Sequence, residues 1–160
     1  MRCPATRWAA AGSAVDRDLY VPPMNPGAVP PPPREVFAVM GEANIERMLE
    51  DFYLELGRGS PALRALFPDD MVAASRRSAA FFIGLLGGPA RYHERYGNPM
   101  MRARHLPFEI NDSRRAEWLA CFERVLADAP ARYQFPAEHL DAFRAFLHGF
   151  SAWMVNRREA

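Results

Sequence analysis

With 160 residues, 49% of them apolar and including eleven Phe and eight Met, the chain is long enough for one domain with a substantial core. A formal net charge of +1 excludes an electrostatic case for nucleic acid or for an anionic membrane surface as partner. Every basic residue is arginine, and Cys3 and Cys121 lie too far apart for a disulfide framework or a metal-binding spacing, which fits a reducing, cytoplasmic setting.

Residues 1–33 read as a proline-rich, disordered N-terminal extension. The run Val21-Pro-Pro-Met-Asn-Pro-Gly-Ala-Val-Pro-Pro-Pro-Pro33 suits polyproline II or coil, as a flexible leader or as a ligand for a partner domain. The short apolar stretch Trp8 to Val15 lacks the bulky aliphatic residues of an export segment. No apolar run approaches the roughly 20 residues that cross a bilayer.

The domain proper covers residues 34–160. A weak helix from Glu35 to Met40 leads into a strong one, in which Ile45, Met48, Leu49, Phe52, Tyr53 and Leu56 recur with the helical period. Gly57 and Gly59 stop it. Ser60-Pro61 opens a short helical corner through Leu63, Leu66 and Phe67, and Pro68-Asp69-Asp70 turns the chain. Asp70 caps a helix over 71–86 whose predicted inward face carries Ala74, Ser78, Phe81, Phe82 and Leu85. Gly87-Gly88-Pro89 is a helix stop, not a phosphate loop.

A turn or two over 90–96 follows. Asn98-Pro99 then reads as the start of a short helix that Pro107 ends almost at once, leaving His105 near its C-terminal end. Asn111 or Asp112 caps a longer helix with Trp118, Leu119, Phe122, Val125 and Leu126 inward. After a break at Pro130, Pro136 opens the last helix, faced by Leu140, Phe143, Leu147, Phe150 and Met154. No stretch alternates with period two, so the predicted class is all-α.

His105 lies between two prolines, beside Arg102 and Arg104 and among Met100, Met101, Leu106 and Phe108. Alone it reads as a structural histidine or as a metal ligand. No second His or Cys stands at helical spacing to complete a zinc site. As a ligand it therefore needs a non-protein group for the remaining donors, and haem supplies four nitrogens and leaves an axial position. Nearby arginines would pair with propionates. Tyr53, on an apolar helix face, is a core tyrosine or a donor aimed at a ligand, and Trp118 has the same two readings. Phe67, at a sharp turn, is packing or a ring set against a flat cofactor. His93, His139 and His148 lack such a setting and read as structural or solvated.

From about Phe37 to Asn156 the chain resembles the truncated haemoglobins, within them the second group. The run Gly97-Asn-Pro-Met-Met-Arg-Ala-Arg-His-Leu-Pro-Phe108 is similar to that group's proximal segment, and Glu117-Trp-Leu-Ala-Cys121 to its Trp-Leu-x-Cys signature. Phe52-Tyr53, Leu66-Phe67-Pro68-Asp69-Asp70 and Gly87-Gly88-Pro89-Ala-Arg-Tyr92 match in order. The resemblance implies a two-over-two helical sandwich enclosing haem b, iron protoporphyrin IX. It implies His105 as proximal iron ligand and Tyr53 and Trp118 as distal donors to dioxygen. Phe67 would stack on the porphyrin, with Phe81, Phe82, Met101 and Phe108 lining the pocket, and Arg77, Tyr92 and Arg104 near the propionates.

There are departures. Asn98 replaces the usual histidine before the proline, and the family's paired glycines reduce to Gly41. Spacing shifts by one residue on either side of Phe67. Ser78 then stands where a bulky apolar residue is usual, and with Ala74 leaves an open distal pocket carrying an extra hydroxyl.

Implied partners are dioxygen, nitric oxide or carbon monoxide, an unidentified reductase, and a second copy of the chain as homodimer. Slow dioxygen release favours scavenging, sensing or redox detoxification over bulk transport. A peroxidase or nitric oxide dioxygenase is the enzymatic alternative, and a haem-free globin-like interaction module the non-catalytic one.

Overall fold

A computed structural model describes residues 19–22 and 29–159. Its elements in chain order are α1 (Val36–Gly57), α2 (Pro61–Arg64), α3 (Met71–Leu85), α4 (Arg91–Tyr96), α5 (Met101–His105), α6 (Asp112–Leu126), α7 (Ala129–Tyr133), a 3-10 turn (Ala137–His139) and α8 (Leu140–Met154). The described residues contain no strand, in agreement with the all-α expectation. None of their helices is long and apolar enough to cross a membrane.

Three helix starts fall where capping residues predict them. Ser60 accepts from the Leu63 amide with Pro61 at the first helical position, Asp70 from the Ala73 amide, and Asn111 from the Arg114 amide. The weak and strong helices predicted before Gly57 are one run, kinked at Gly41, whose φ of +77° breaks the helical path. Gly87, at φ +101°, ends the turn after α3. A Cβ there would stand 1.8 Å from the Arg34 carbonyl oxygen, so glycine is what lets this turn lie against the entry to α1.

α1 packs on α3, α6 packs on α8, and α1 crosses α6, which gives the two pairs of the sandwich. The core between them is aromatic. Phe52 stacks on Phe122 at 4.0 Å between centroids, and Phe122 meets Phe82 and Phe143 edge-on or tilted at 5.7 and 5.8 Å. Such contacts add to the burial energy of the rings themselves.

Four further details differ from the expectations. α5 begins at Met101, not at Pro99, because the Asn98 side chain accepts from the Met100 amide and leaves Met100 in left-handed backbone, φ +40°. The fully buried row of α3 is Ser75, Ala79, Ala80, Phe82 and Ile83, whereas Ala74, Ser78, Phe81 and Leu85 form a half-buried row beside it. The predicted break at Pro130 holds the short α7, which tolerates proline in its first turn. Pro136 opens the 3-10 turn rather than α8 itself.

Most of the leader, with Cys3, lies outside the described residues. Of the rest, Pro22 and Pro33 are buried, and Tyr20 donates its amide to the Asn156 carbonyl at 2.9 Å.

Candidate functional site

His105 is the last residue of α5. Its Nδ1 lies 2.6 Å from the carbonyl oxygen of Met101, one helical turn back. A carbonyl only accepts, so Nδ1 carries the hydrogen and the neutral ring's lone pair is on Nε2. Burial pushes the His105 pKa below its ordinary value, against the smaller opposing pull of the Met101 carbonyl, and so favours the neutral form that can ligate a metal. Around it Met101 is half-buried, Met100 is 60% exposed, and the Phe108 ring, 6.3 Å away between centroids, is 42% exposed.

A second group gathers on α1, α3 and α6. Tyr53 meets Phe67 edge-on at 5.7 Å, and Phe52 joins Tyr53 at 5.7 Å to Trp118 at 5.5 Å. Burial raises the Tyr53 pKa, while the Ser78 hydroxyl and the Arg77 charge pull the other way, so the phenol keeps its proton. The Trp118 indole makes no hydrogen bond to the protein among the described residues. It can only donate. Ala74, Ser78, Phe81 and Leu85 run along α3 below these groups, half-buried.

The third group is a basic aromatic edge. The Arg77 guanidinium lies over Tyr96 at 5.1 Å and that of Arg104 over Tyr92 at 5.7 Å, and the two tyrosine rings are 5.1 Å apart. Arg104 also donates to the Asn98 and Tyr96 carbonyls, at 2.9 and 3.3 Å. Phe81 touches Tyr92 at 6.0 Å and Phe150 at 5.9 Å, so this edge continues into the half-buried row of α3.

Not every expected residue faces the same way. Phe82 turns into the core, against Phe122 and Phe143. Arg102 donates to the carbonyls of Trp153, Val155 and Tyr20 and so holds the backbone instead of facing an anion. No ring contact or hydrogen bond among the described residues joins His105 to Tyr53 or Trp118. Sequence reading passed over Asn156. It is fully buried, and its side chain bonds to the backbone of His105, Phe108 and Ile110. No local pattern marks it, because its partners lie 46 to 51 residues away.

The donor set fits haem. One neutral imidazole with a free Nε2, apolar walls, and arginines on one edge match a flat apolar macrocycle with an iron centre and two carboxylates. No group of three or more His, Cys, Asp or Glu able to hold a metal occurs among the described residues. A cleft of about 340 Å³ elsewhere, lined by Glu55, Arg58, Ser60, Glu117, Cys121 and Arg124, holds no histidine and carries two carboxylates.

Comparison with known proteins gives the same direction. Residues 36–155 match the family of bacterial-like globins. The group 2 truncated hemoglobin YjbI of Bacillus subtilis is 35% identical over 128 residues, which are 78% of this chain and 90% of that protein. The crystal structure of the group II truncated hemoglobin of Bacillus anthracis superposes with a TM-score of 0.71 at 34% identity, over 80% of this chain and 95% of that one. A truncated oxygen-avid haemoglobin of Bacillus subtilis superposes with a TM-score of 0.69 at 30% identity, over 76% of this chain and 99% of that one.

Proposed function

This chain belongs to the bacterial-like globins and among them to the group II truncated haemoglobins, a haem-binding kind, and from that premise we propose that it holds haem b through His105 and retains dioxygen with the help of Tyr53 and Trp118. The observation that carries the reading is the setting of His105, whose Nδ1 is tied to the Met101 carbonyl at 2.6 Å and whose Nε2 is left without a partner among the described residues.

When bound, haem supplies an iron atom with one position open to a diatomic gas. The chain's own residues do the rest. His105 would hold the iron through Nε2, and its bond to Met101 fixes the ring against rotation. Phe67, Phe81, Met101 and Phe108 would line the macrocycle, and Arg77 and Arg104 would neutralise its carboxylates. Tyr53 and Trp118 would offer two neutral donors to dioxygen, each worth about 1–3 kcal/mol where water is kept out. Ala74 and Ser78 are small and leave room beside it, with one further hydroxyl within reach of Tyr53.

Two strong donors retain dioxygen, and retention suits scavenging, sensing or redox detoxification better than transport. Nitric oxide and carbon monoxide compete for the same position. A nitric oxide dioxygenase or peroxidase role requires a reductase. It is separated from simple retention by stopped-flow mixing of the dioxygen-loaded protein with nitric oxide, with and without a reductant.

Haem titration of the purified protein tests the reading. A Soret band that saturates at one haem per chain, and that responds to reduction and to carbon monoxide, is expected. A protein that stays colourless is instead an interaction module and ends the proposal.

A further inference from the structure

α5 is a helix of five residues, and none of them is fully buried. Isolated helices below roughly 12–15 residues are marginal in water, so this one is held by something else. Its last carbonyls have no partner within the helix. The His105 carbonyl is one of them. It accepts from the Phe108 amide at 2.9 Å and from Asn156 Nδ2 at 3.1 Å.

Asn156 follows the end of α8 and is 0% exposed. All its polar groups are used, and all but one are spent on the segment 105–110. Nδ2 donates to His105 and to the Phe108 carbonyl at 2.9 Å, Oδ1 accepts from the Ile110 amide at 3.0 Å, and the Asn156 amide donates to the Ile110 carbonyl at 2.9 Å. The Asn156 carbonyl takes the Tyr20 amide at 2.9 Å. One buried amide side chain therefore fixes the backbone of the histidine from outside its helix, while Met101 fixes its ring from within.

We infer that Asn156 is a positioning residue for the axial ligand: by anchoring the His105 carbonyl it sets how far and at what tilt the imidazole reaches iron. The inference rests on His105 being that ligand. It assigns a role in the site to a residue whose own hydrogen bonds are all made to the protein. A purely structural asparagine would support the fold and leave the metal–histidine bond unaltered.

The deciding experiment is resonance Raman spectroscopy of the reduced, haem-loaded full-length protein, read at the iron–histidine stretch, in wild type, Asn156→Ala and Asn156→Asp. Aspartate keeps the shape and the acceptor for Ile110 but donates nothing when ionised and one bond at most when protonated, so both variants are expected to shift and broaden the band. Haem transfer to an excess of acceptor globin should become on the order of tenfold faster, as expected for the loss of a buried bond.

In a His105→Gly background with free imidazole supplied, the same substitutions should leave the iron–imidazole band where it is, because that ring is detached from the backbone. A band unmoved in both Asn156 variants overturns the inference, and so does an equal shift in the His105→Gly background. A wild type that binds haem but shows no iron–histidine band removes the premise about His105 and the inference with it. If Asn156→Ala does not fold, Asn156→Asp and amide exchange of the haem-loaded wild type decide. The Ile110 amide, which donates to Asn156, should exchange as slowly as the core of α6, and exchange at the rate of an open loop is the contrary result.

Discussion

The aromatic core and the proximal segment are stabilised by opposite means. Around Phe52, Phe122 and Phe143, helices of 15 to 22 residues bury rings against rings, and side chains supply the order. Between Gly97 and Ile110, α5 has no fully buried residue; Arg102 ties it to the carbonyls of Trp153, Val155 and Tyr20, and Asn156 holds the His105 and Phe108 carbonyls. The difference is that between a region that must be stable and one that must be placed. Hydrophobic burial is non-directional, whereas hydrogen bonds to the backbone fix orientation. A ligating histidine needs the second.

Substitutions can separate the two regions. Phe122→Ala should cost about 3–5 kcal/mol by removing the ring that Phe52, Phe82, Trp118 and Phe143 all touch. Urea denaturation measures this, and a loss below about 1 kcal/mol would mean that the core is more loosely packed than described. Arg102→Ala should cost less, about 1–3 kcal/mol, and should open residues 101–110 to amide exchange ahead of the core. Uniform opening of the whole protein would erase the contrast drawn above. Trp118→Phe should leave stability nearly intact and speed dioxygen dissociation about tenfold, the effect of one lost donor. An unchanged rate removes Trp118 from the distal set.

Smaller effects sharpen the picture. Asn111→Ala removes the cap bonded to the Arg114 amide at 2.9 Å and should cost about 1 kcal/mol. Tyr53 concerns alkaline pH. Its folded-state pKa is raised, chiefly by burial, so its contribution to stability is complete below the ordinary tyrosine range and is lost as pH rises through the folded value. Tyr53→Phe should delete one late-titrating tyrosine from the ultraviolet titration while Tyr133, also raised, remains. Two late tyrosines in the variant would place the Tyr53 hydroxyl in water.

Much of this was legible in the chain itself, where the signal is local. Ser60, Asp70 and Asn111 mark helix starts because a cap and its amide lie three residues apart. His105 at a helix end before Pro107 follows from proline sterics. The rest depends on distance along the chain or on conformations that sequence does not dictate. Met100 is left-handed because Asn98 turns the backbone, and no rule for methionine predicts it. The half-buried row of α3 has the same period as its core row, so periodicity finds the helix but not which of two adjacent faces is innermost. Asn156 reads as an ordinary polar residue near a terminus until the fold brings it to His105.

The claim at the centre is that His105 is the residue through which this chain ligates haem iron. The absorption spectrum of the reduced protein, wild type against His105→Ala, tests it most directly. The wild type should give the spectrum of a haem with one imidazole ligand and a Soret band that moves with carbon monoxide. The variant should lose that spectrum while keeping its helical circular dichroism. A His105→Ala protein with the same reduced and carbon monoxide spectra as the wild type would contradict the account.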